Sequence, residues 1–184
     1  WFCGAEVSGG GGRFDLDANT GWLTFIYYIN YLFKFYEMLD TAFLAARGKP
    51  TPFLHVYHHA ATLLLSWSQL IERSGVQWVP ISLNLSVHTV MYYYYAAATL
   101  GRSVWWKRYL TTMQIFQFVV DVVACGAATW LKYEYDFAGG QINCGGSVLA
   151  GGIGLAILGS YLVLFIKMYR DTYVFQQKGK SKRA

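Results

Sequence analysis

The chain has 184 residues, of which 55% are hydrophobic, 18% are aromatic and 14% are charged, with a formal net charge of +5. A soluble domain carries roughly 25% charged residues, so this composition argues against a soluble globular protein. The three cysteines are too few for a disulfide-rich scaffold, and they include no Cys-x-x-Cys pair of the kind that binds zinc.

Five apolar stretches of about 20 residues follow one another, and this is the length of a membrane-spanning helix. The predicted spans are Gly21–Ala46, His55–Ile71, Gln77–Leu100, Tyr109–Leu131 and Ser147–Met168, with a loop over 1–20 before them and a basic tail over 169–184 after them. A soluble helical bundle is the alternative, but its polar surface would be too small to cover these stretches. The sequence therefore predicts an all-α, polytopic membrane protein with a single domain.

The basic residues are distributed unevenly about these spans. Most of them follow spans one, three and five, at Arg47, Lys49, Arg102, Lys107, Arg108, Lys167, Arg170, Lys178, Lys180, Lys182 and Arg183. The positive-inside rule then places the C-terminus in the cytosol and the loop over 1–20 on the other side. Since topology accounts for the basic excess, no nucleic-acid partner is predicted.

Polar residues interrupt the first two spans, and such residues are functional candidates because their burial in lipid is costly. In the first span, one helix face carries Lys34, Glu37 and Thr41, with Asp40 beside it. A structural ion pair is the alternative for Lys34 and Glu37. The second span begins with HVYHH, which places His55, His58 and His59 toward one cavity.

The third and fourth spans carry two further clusters. His88, Tyr92 and Tyr95 share a face of the third span. An interfacial aromatic belt explains the tyrosines but not the deeper histidine. One face of the fourth span carries Thr111, Gln114, Gln117 and Asp121, for which hydrogen bonding between helices and contact with a substrate both remain open.

With the predicted orientation, these four clusters reach a similar depth on the cytosolic side. Such a site suits a molecule with a polar activated head at the mouth and a long apolar tail that points inward. Acyl-CoA is a cytosolic molecule of this kind, and the lipid bilayer is the surrounding partner.

The residues also match known motifs. Lys-x-x-Glu-x-x-Asp-Thr (34–41), His-x-x-His-His (55–59), His-x-x-Met-Tyr-x-Tyr-Tyr (88–95) and Thr-x-x-Gln-x-x-Gln (111–117) occur in one order. In this the chain resembles the ELO family of very-long-chain fatty acid elongases, and the segment WVPISLNL is similar to fungal members. The resemblance implies seven spans, six of them in a barrel around the acyl chain. Since the chain opens at Trp1, we expect a fragment that contains the last five spans.

The reaction implied by the resemblance is condensation of a long-chain acyl-CoA with malonyl-CoA, which gives a 3-oxoacyl-CoA, CO2 and CoA without a cofactor. A neutral imidazole can attack a thioester, and our hypothesis makes His58 the nucleophile. His88 would assist decarboxylation or stabilise the enolate, and His55 and His59 would orient these groups or bind thioester oxygens. The implied substrate-binding residues are Lys34, Glu37, Asp40, Thr41, Tyr92, Tyr95, Thr111, Gln114 and Gln117, and Glu37 and Asp40 are also expected to fix imidazole tautomers.

Two other classes of protein are weighed against this one. Membrane desaturases and hydroxylases also use His-x-x-His-His boxes, but they require about eight histidines, and this chain has four. A zinc ion bound by three histidines is a further alternative, although we predict no metal site. A transporter would need polar residues through the whole bilayer.

The predicted topology has consequences for targeting and for the cysteines. Lys180 and Lys182 lie near the C-terminal end and match a di-lysine retrieval signal of the endoplasmic reticulum. Cys3 and Cys144 both face the lumen, where disulfides persist, and we predict a bond between them. The reductases and the dehydratase of the elongation cycle are the expected partners, and a homodimer is left open.

Overall fold

The computed structural model describes residues 18–46, 48, 53–102, 104–142 and 144–175. Within these ranges the chain forms the α-helices α1 (Ala18–Ala46), α2 (Phe53–Ile71), α3 (Trp78–Thr99), α4 (Lys107–Ala138) and α5 (Val148–Tyr169), and it contains no strand. A short 3₁₀ turn, Gly75–Gln77, precedes α3, and a π-helical segment, Arg170–Phe175, continues α5. The all-α fold class is confirmed for the described residues.

Local signals in the sequence set several helix ends. Ser147 stands directly before α5, and its Oγ accepts a hydrogen bond of 3.2 Å from the backbone N–H of Ala150, as an N-cap does. At the end of α3, Gly101 adopts a φ of 73°. The backbone N–H of Arg102 then donates to the carbonyl of Ala97 at 3.1 Å, a pattern that favours glycine at the helix end.

Helix α4 is longer than the sequence predicted, because it runs on past Leu131 to Ala138. Two side-chain pairs spaced four residues apart stabilise this extension. Lys132 Nζ lies 3.0 Å from Asp136 Oδ1, and Trp130 Nε1 donates to Glu134 Oε1 at 3.0 Å. The polar stretch that was expected to form a loop is therefore helical, because side chains four residues apart pair along it.

The described helices divide into two compact units, and the division falls inside α4 and α5. Unit 1 takes its described residues from Trp1–Trp78 and Ala124–Ile157, and unit 2 from Val79–Val123 and Leu158–Ala184. Each unit therefore contains part of α4 and part of α5. The single-domain organisation stays a prediction.

In unit 1, α1 packs against α2, and hydrogen bonds join the turn after α2 to the turn before α5. The backbone N–H of Gly75 donates to the carbonyl of Gly145 at 3.2 Å. At Gly145 an added Cβ would lie 2.9 Å from the carbonyl oxygen of Arg73. Such a contact is too close for any larger residue, so glycine is required for this approach of the two turns.

In unit 2, aromatic side chains fill the interior. Phe118 of α4 lies between Tyr161 and Phe165 of α5, with ring centroids 5.6 and 4.9 Å away. Near the end of α3, the Trp106 ring stacks on Tyr93 at 6.3 Å and meets Tyr94 edge-on at 5.6 Å. These contacts hold the connection between α3 and α4 against the last turns of α3.

The distribution of polar and apolar side chains is inverted relative to a soluble protein. Among the described residues, several charged or amide side chains are buried, while many large apolar side chains are exposed, Phe33, Phe43, Leu64, Phe116 and Val163 among them. Exposed hydroxyls turn back to their own helix, as where Thr89 donates to the carbonyl of Leu85 at 2.8 Å. A lipid environment favours this arrangement, because lipid covers apolar surface and offers no partner to polar groups.

Two helices in the described part of the chain are long and apolar enough to cross a membrane, Lys107–Ala138 and Val148–Val174. The other three described helices, α1, α2 and α3, do not reach the same combination of length and hydropathy. The five-span topology, its expected completion to seven and the barrel therefore stay predictions.

Candidate active site

A stripe of polar side chains runs along the buried face of α1. Its members are spaced three or four residues apart and share one helix face: Tyr27, Asn30, Lys34, Glu37 and Thr41. Four of them are buried, at 8%, 7%, 4% and 7% exposure in chain order. Over these 14 residue steps the stripe extends about 21 Å, which is about half the length of the 29-residue helix.

An ion pair lies at the centre of this stripe. Lys34 Nζ donates to Glu37 Oε1 at 2.7 Å, and the two side chains are 4% and 9% exposed. The short distance is typical of a charge-assisted hydrogen bond. Because both residues belong to α1, the pair by itself does not connect two helices.

The histidine box lies on α2, in the same unit. The His59 ring is the most buried of the three, and its centroid lies 4.5 Å from that of His55 and 5.3 Å from that of His58. Both contacts are edge-on, at interplanar angles of 61° and 87°. His55 and His58 are half-buried, so they are more accessible to a bound molecule than His59.

One contact joins the polar stripe of α1 to the histidine box. Glu37 Oε2 lies 3.7 Å from His59 Nδ1. The structure thus brings together Lys34, Glu37, His55, His58 and His59, which sequence analysis had assigned to one site. The separation exceeds the usual 2.7–3.2 Å of an N–H···O hydrogen bond, but catalytic contacts are often long before a ligand binds.

Unit 2 carries the third predicted cluster. The His88 and Tyr92 rings of α3 lie 6.0 Å apart, at 65° to one another. Tyr92 and Tyr95 are 41% and 53% exposed. The Tyr95 ring contacts that of Tyr94 at 5.6 Å. Their exposure fits an interfacial aromatic belt as well as it fits contact with a substrate.

The fourth predicted cluster forms a second polar stripe, on α4 of unit 2. Thr111 and Gln117 are buried at 7% and 5% exposure, and Gln117 Nε2 donates to Asp121 Oδ2 at 3.3 Å. Gln114 Nε2 approaches the Met91 sulfur at 3.9 Å. The convergence of this stripe and of His88 with the histidine box stays a prediction.

Some predicted residues lie outside what the structure describes. The backbone of Asp40 belongs to α1, but its side chain is among the undescribed parts, as is the whole of Cys3. Cys144 is buried at 2% exposure and is disulfide-bonded. Its pairing with Cys3 stays a prediction, and so does the retrieval signal at Lys180 and Lys182, which also lie outside the described residues.

Sequence reasoning missed two members of the α1 stripe and ranked one residue of α4 too low. Asn30 and Tyr27 lie four and seven residues before Lys34, so the same periodicity could have found them. Asp121 was noted on the fourth span but was not chosen as a site residue. It is the most completely buried carboxylate described, at 1% exposure.

Among the described side chains, no three from histidine, cysteine, aspartate and glutamate are placed to hold one metal ion. The chemistry available in unit 1 is therefore that of imidazoles beside a paired carboxylate. Such groups act as nucleophiles, as proton carriers and as hydrogen-bond donors.

A helical chain that buries charged and histidine side chains and exposes large apolar ones is an integral membrane protein with a polar interior site. A model of the family described as ELO: GNS1/SUR4 family matches residues 13–182. The chain belongs to this family, so the resemblance drawn from its motifs is confirmed.

Individual relatives agree with the family match. The chain is 44% identical over 164 residues to "Putative fatty acid elongase 1" of Schizosaccharomyces pombe, covering 88% of this chain and 49% of the relative. It is 39% identical over 164 residues to "Fatty acid elongase A" of Dictyostelium discoideum, covering 87% of this chain and 60% of the relative. A third relative, "Fatty acid elongase 1" of Trypanosoma brucei brucei, is 40% identical over 152 residues, which cover 78% and 47% of the two chains.

The chain thus spans about half the length of the curated relatives that it matches. No solved structure gives a significant match.

Proposed function

We propose that this chain is the catalytic part of a fatty acid elongase that condenses a long-chain acyl-CoA with malonyl-CoA. The products are a 3-oxoacyl-CoA longer by two carbons, CO2 and CoA. The observation that carries the proposal is the cluster of three imidazoles, in which His59 Nδ1 lies 3.7 Å from Glu37 of the buried Lys34–Glu37 pair. The relatives named above are all called fatty acid elongases.

In the first half-reaction, His58 is the nucleophile. Its ring is half-buried and meets His59 edge-on, so it is accessible to a substrate. An imidazole nitrogen attacks the thioester carbonyl, the C–S bond breaks, and CoA leaves with the imidazole proton as the free thiol. The product is an acyl-imidazole, and thioester oxygens are stabilised by His55 and His59.

In the second half-reaction, malonyl-CoA loses CO2 and the electron pair of the broken C–C bond forms an enolate. The enolate carbon attacks the acyl carbonyl, the C–N bond breaks, and the imidazole regains one proton. His88 assists the decarboxylation or stabilises the enolate. No organic cofactor or metal ion is needed for these steps, because the electrons come from the C–C bond that breaks.

The remaining polar residues are proposed to bind the two CoA thioesters. This set comprises Asp40, Thr41, Tyr92, Tyr95, Thr111, Gln114 and Gln117. Burial supports the proposal most strongly for Thr111 and Gln117, which at 7% and 5% exposure are the most deeply buried of those members whose side chains are described.

The whole protein is proposed to reside in the endoplasmic reticulum with a cytosolic C-terminus. This rests on the basic residues at one set of helix ends. Seven spans would enclose the acyl chain in a helical barrel, and the reductases and the dehydratase of the cycle would act on the product. A homodimer is a further proposal that the mechanism does not require.

The direct test is elongation by the full protein in microsomes, supplied with labelled malonyl-CoA and with acyl-CoAs of graded chain length. We expect labelled 3-oxoacyl-CoA without added reductant and in the presence of a metal chelator. Loss of activity on chelation, or a product desaturated or hydroxylated at the input chain length, would instead favour metal-dependent lipid oxidation.

A further inference from the structure

The Lys34–Glu37 pair occupies a position that a substrate-binding role does not explain. Lys34 Nζ binds Glu37 Oε1 at 2.7 Å, and both side chains are shielded from the surroundings at 4% and 9% exposure. A lysine that recognised the phosphates or the carboxylate of a CoA thioester would have to present its ammonium group to that ligand. Here the ammonium group is bound to a carboxylate of its own helix.

The two oxygens of Glu37 point to different partners. Oε1 accepts a hydrogen bond from Lys34 Nζ, and Oε2 lies 3.7 Å from His59 Nδ1 on the neighbouring helix. A carboxylate on one ring nitrogen fixes the ring orientation and determines which nitrogen carries the proton. Lys34 balances the negative charge that Glu37 would otherwise bring into an apolar interior.

His59 in turn is the centre of the histidine box. Its ring lies against both of the others, at 4.5 Å from His55 and 5.3 Å from His58. A rotation of the His59 ring would therefore displace one or both neighbouring imidazoles. The orientation of the whole box depends on what holds His59.

We infer that Lys34 and Glu37 are positioning residues that act through His59, and are not substrate-binding residues. This inference rests on the proposed function, because it assigns the pair a role in the reaction of the histidine box. Lys34 holds Glu37, Glu37 holds His59 Nδ1, and His59 sets the geometry of His55 and His58.

Four variants of the full protein test the inference: Lys34→Met, Glu37→Gln, the double variant Lys34→Met/Glu37→Gln, and Asp136→Asn as a matched control. Asp136 forms the partly exposed i,i+4 pair with Lys132, outside the site. We expect Glu37→Gln to lower kcat roughly 10- to 100-fold, by analogy with the groups that orient metal-bound histidines, with less than about twofold change in KM. Asp136→Asn should alter neither value.

The double variant separates positioning from stability. Removal of one partner leaves a buried charge and should lower Tm, whereas removal of both charges should restore Tm toward the wild-type value. Positioning predicts that kcat of the double variant remains as low as that of Glu37→Gln. Recovery of kcat together with Tm would show a structural ion pair only, and a rise in KM at unchanged kcat would show a substrate contact; either result overturns the inference.

A conservative variant and an NMR measurement test the inference even if Glu37→Gln does not fold or the enzyme does not turn over. If Glu37→Gln fails to fold, Glu37→Asp retains a shortened carboxylate and should keep the wild-type KM with a reduced kcat. The ¹⁵N NMR signal of His59 Nδ1 in the histidine-labelled protein should shift in Glu37→Gln and stay fixed in Asp136→Asn. This signal does not require turnover, so an unshifted His59 signal overturns the inference, while absence of wild-type elongation contradicts the proposed function alone.

Discussion

Gln69 on α2 donates a hydrogen bond from Nε2 to the backbone carbonyl of Ala150 on α5, at 3.1 Å and across 81 positions of sequence. The contact lies within unit 1, where the side chain also passes close to Gly154, whose added Cβ would be 3.4 Å from the same nitrogen. It ties the far end of the histidine-bearing helix to α5.

Replacement of Gln69 by leucine should therefore destabilise the protein by about 0.5–1.5 kcal/mol, the usual net value of one hydrogen bond. Thermal unfolding in detergent, monitored by circular dichroism, measures the change. Gln141→Leu is the control, because Gln141 lies exposed in the turn after α4. Equal Tm values for the two variants would show that the bond to Ala150 contributes nothing.

Neighbouring glycines of α5 should respond oppositely to the same substitution. An added Cβ at Gly151 would overlap the side chain of Thr129, whereas at Gly152 it would meet nothing within 4 Å. Gly151→Ala should then cost about 1–3 kcal/mol through overpacking, while Gly152→Ala should change stability by no more than about 1 kcal/mol, in the favourable direction.

A second substitution tests the cause of the Gly151 effect. Thr129→Ala removes the two closest atoms, so Thr129→Ala/Gly151→Ala should regain most of the stability lost in Gly151→Ala. Equal thermal stability of Gly151→Ala and the double variant would mean that α4 and α5 do not approach through these residues.

The disulfide prediction concerns Cys144, which is disulfide-bonded and 2% exposed. A non-reduced digest should yield one peptide that links Cys144 to Cys3. A bridge that closes a loop of about 140 residues would contribute roughly 4–5 kcal/mol by the chain-entropy model, so Cys144→Ser should lower Tm strongly. Alkylation of both thiols in unreduced microsomes would rule out the bond, and labelling of Cys144 from the cytosolic side would contradict the orientation.

Periodicity predicted the faces of the helices well, because it depends only on the spacing of residues along one chain segment. The same spacing placed Lys34 beside Glu37 and grouped the three histidines of α2. It could not show that Glu37 reaches His59, because that contact depends on how α1 and α2 pack. The first motif begins at Lys34, so the prediction did not include Asn30 and Tyr27, which extend the same buried polar stripe toward the start of α1.

The end of a helix was less predictable where a polar and charged segment is nevertheless helical. The residues after Leu131 are polar and were assigned to a loop, yet pairs such as Lys132–Asp136 keep them helical to Ala138. Helix α4 ends just before Gly139, which adopts a φ of 74°. A hydropathy scan detects the loss of apolar residues and not the pairing that compensates for it.

The central claim is that His58 carries the acyl group during condensation. The most direct measurement is mass spectrometry of the full protein, quenched after incubation with a long-chain acyl-CoA in the absence of malonyl-CoA. We predict an acyl mass on His58 that disappears when malonyl-CoA is added and is absent from His58→Ala. Acyl label that persists in His58→Ala, or an acyl mass on a residue outside the histidine box, would contradict the account.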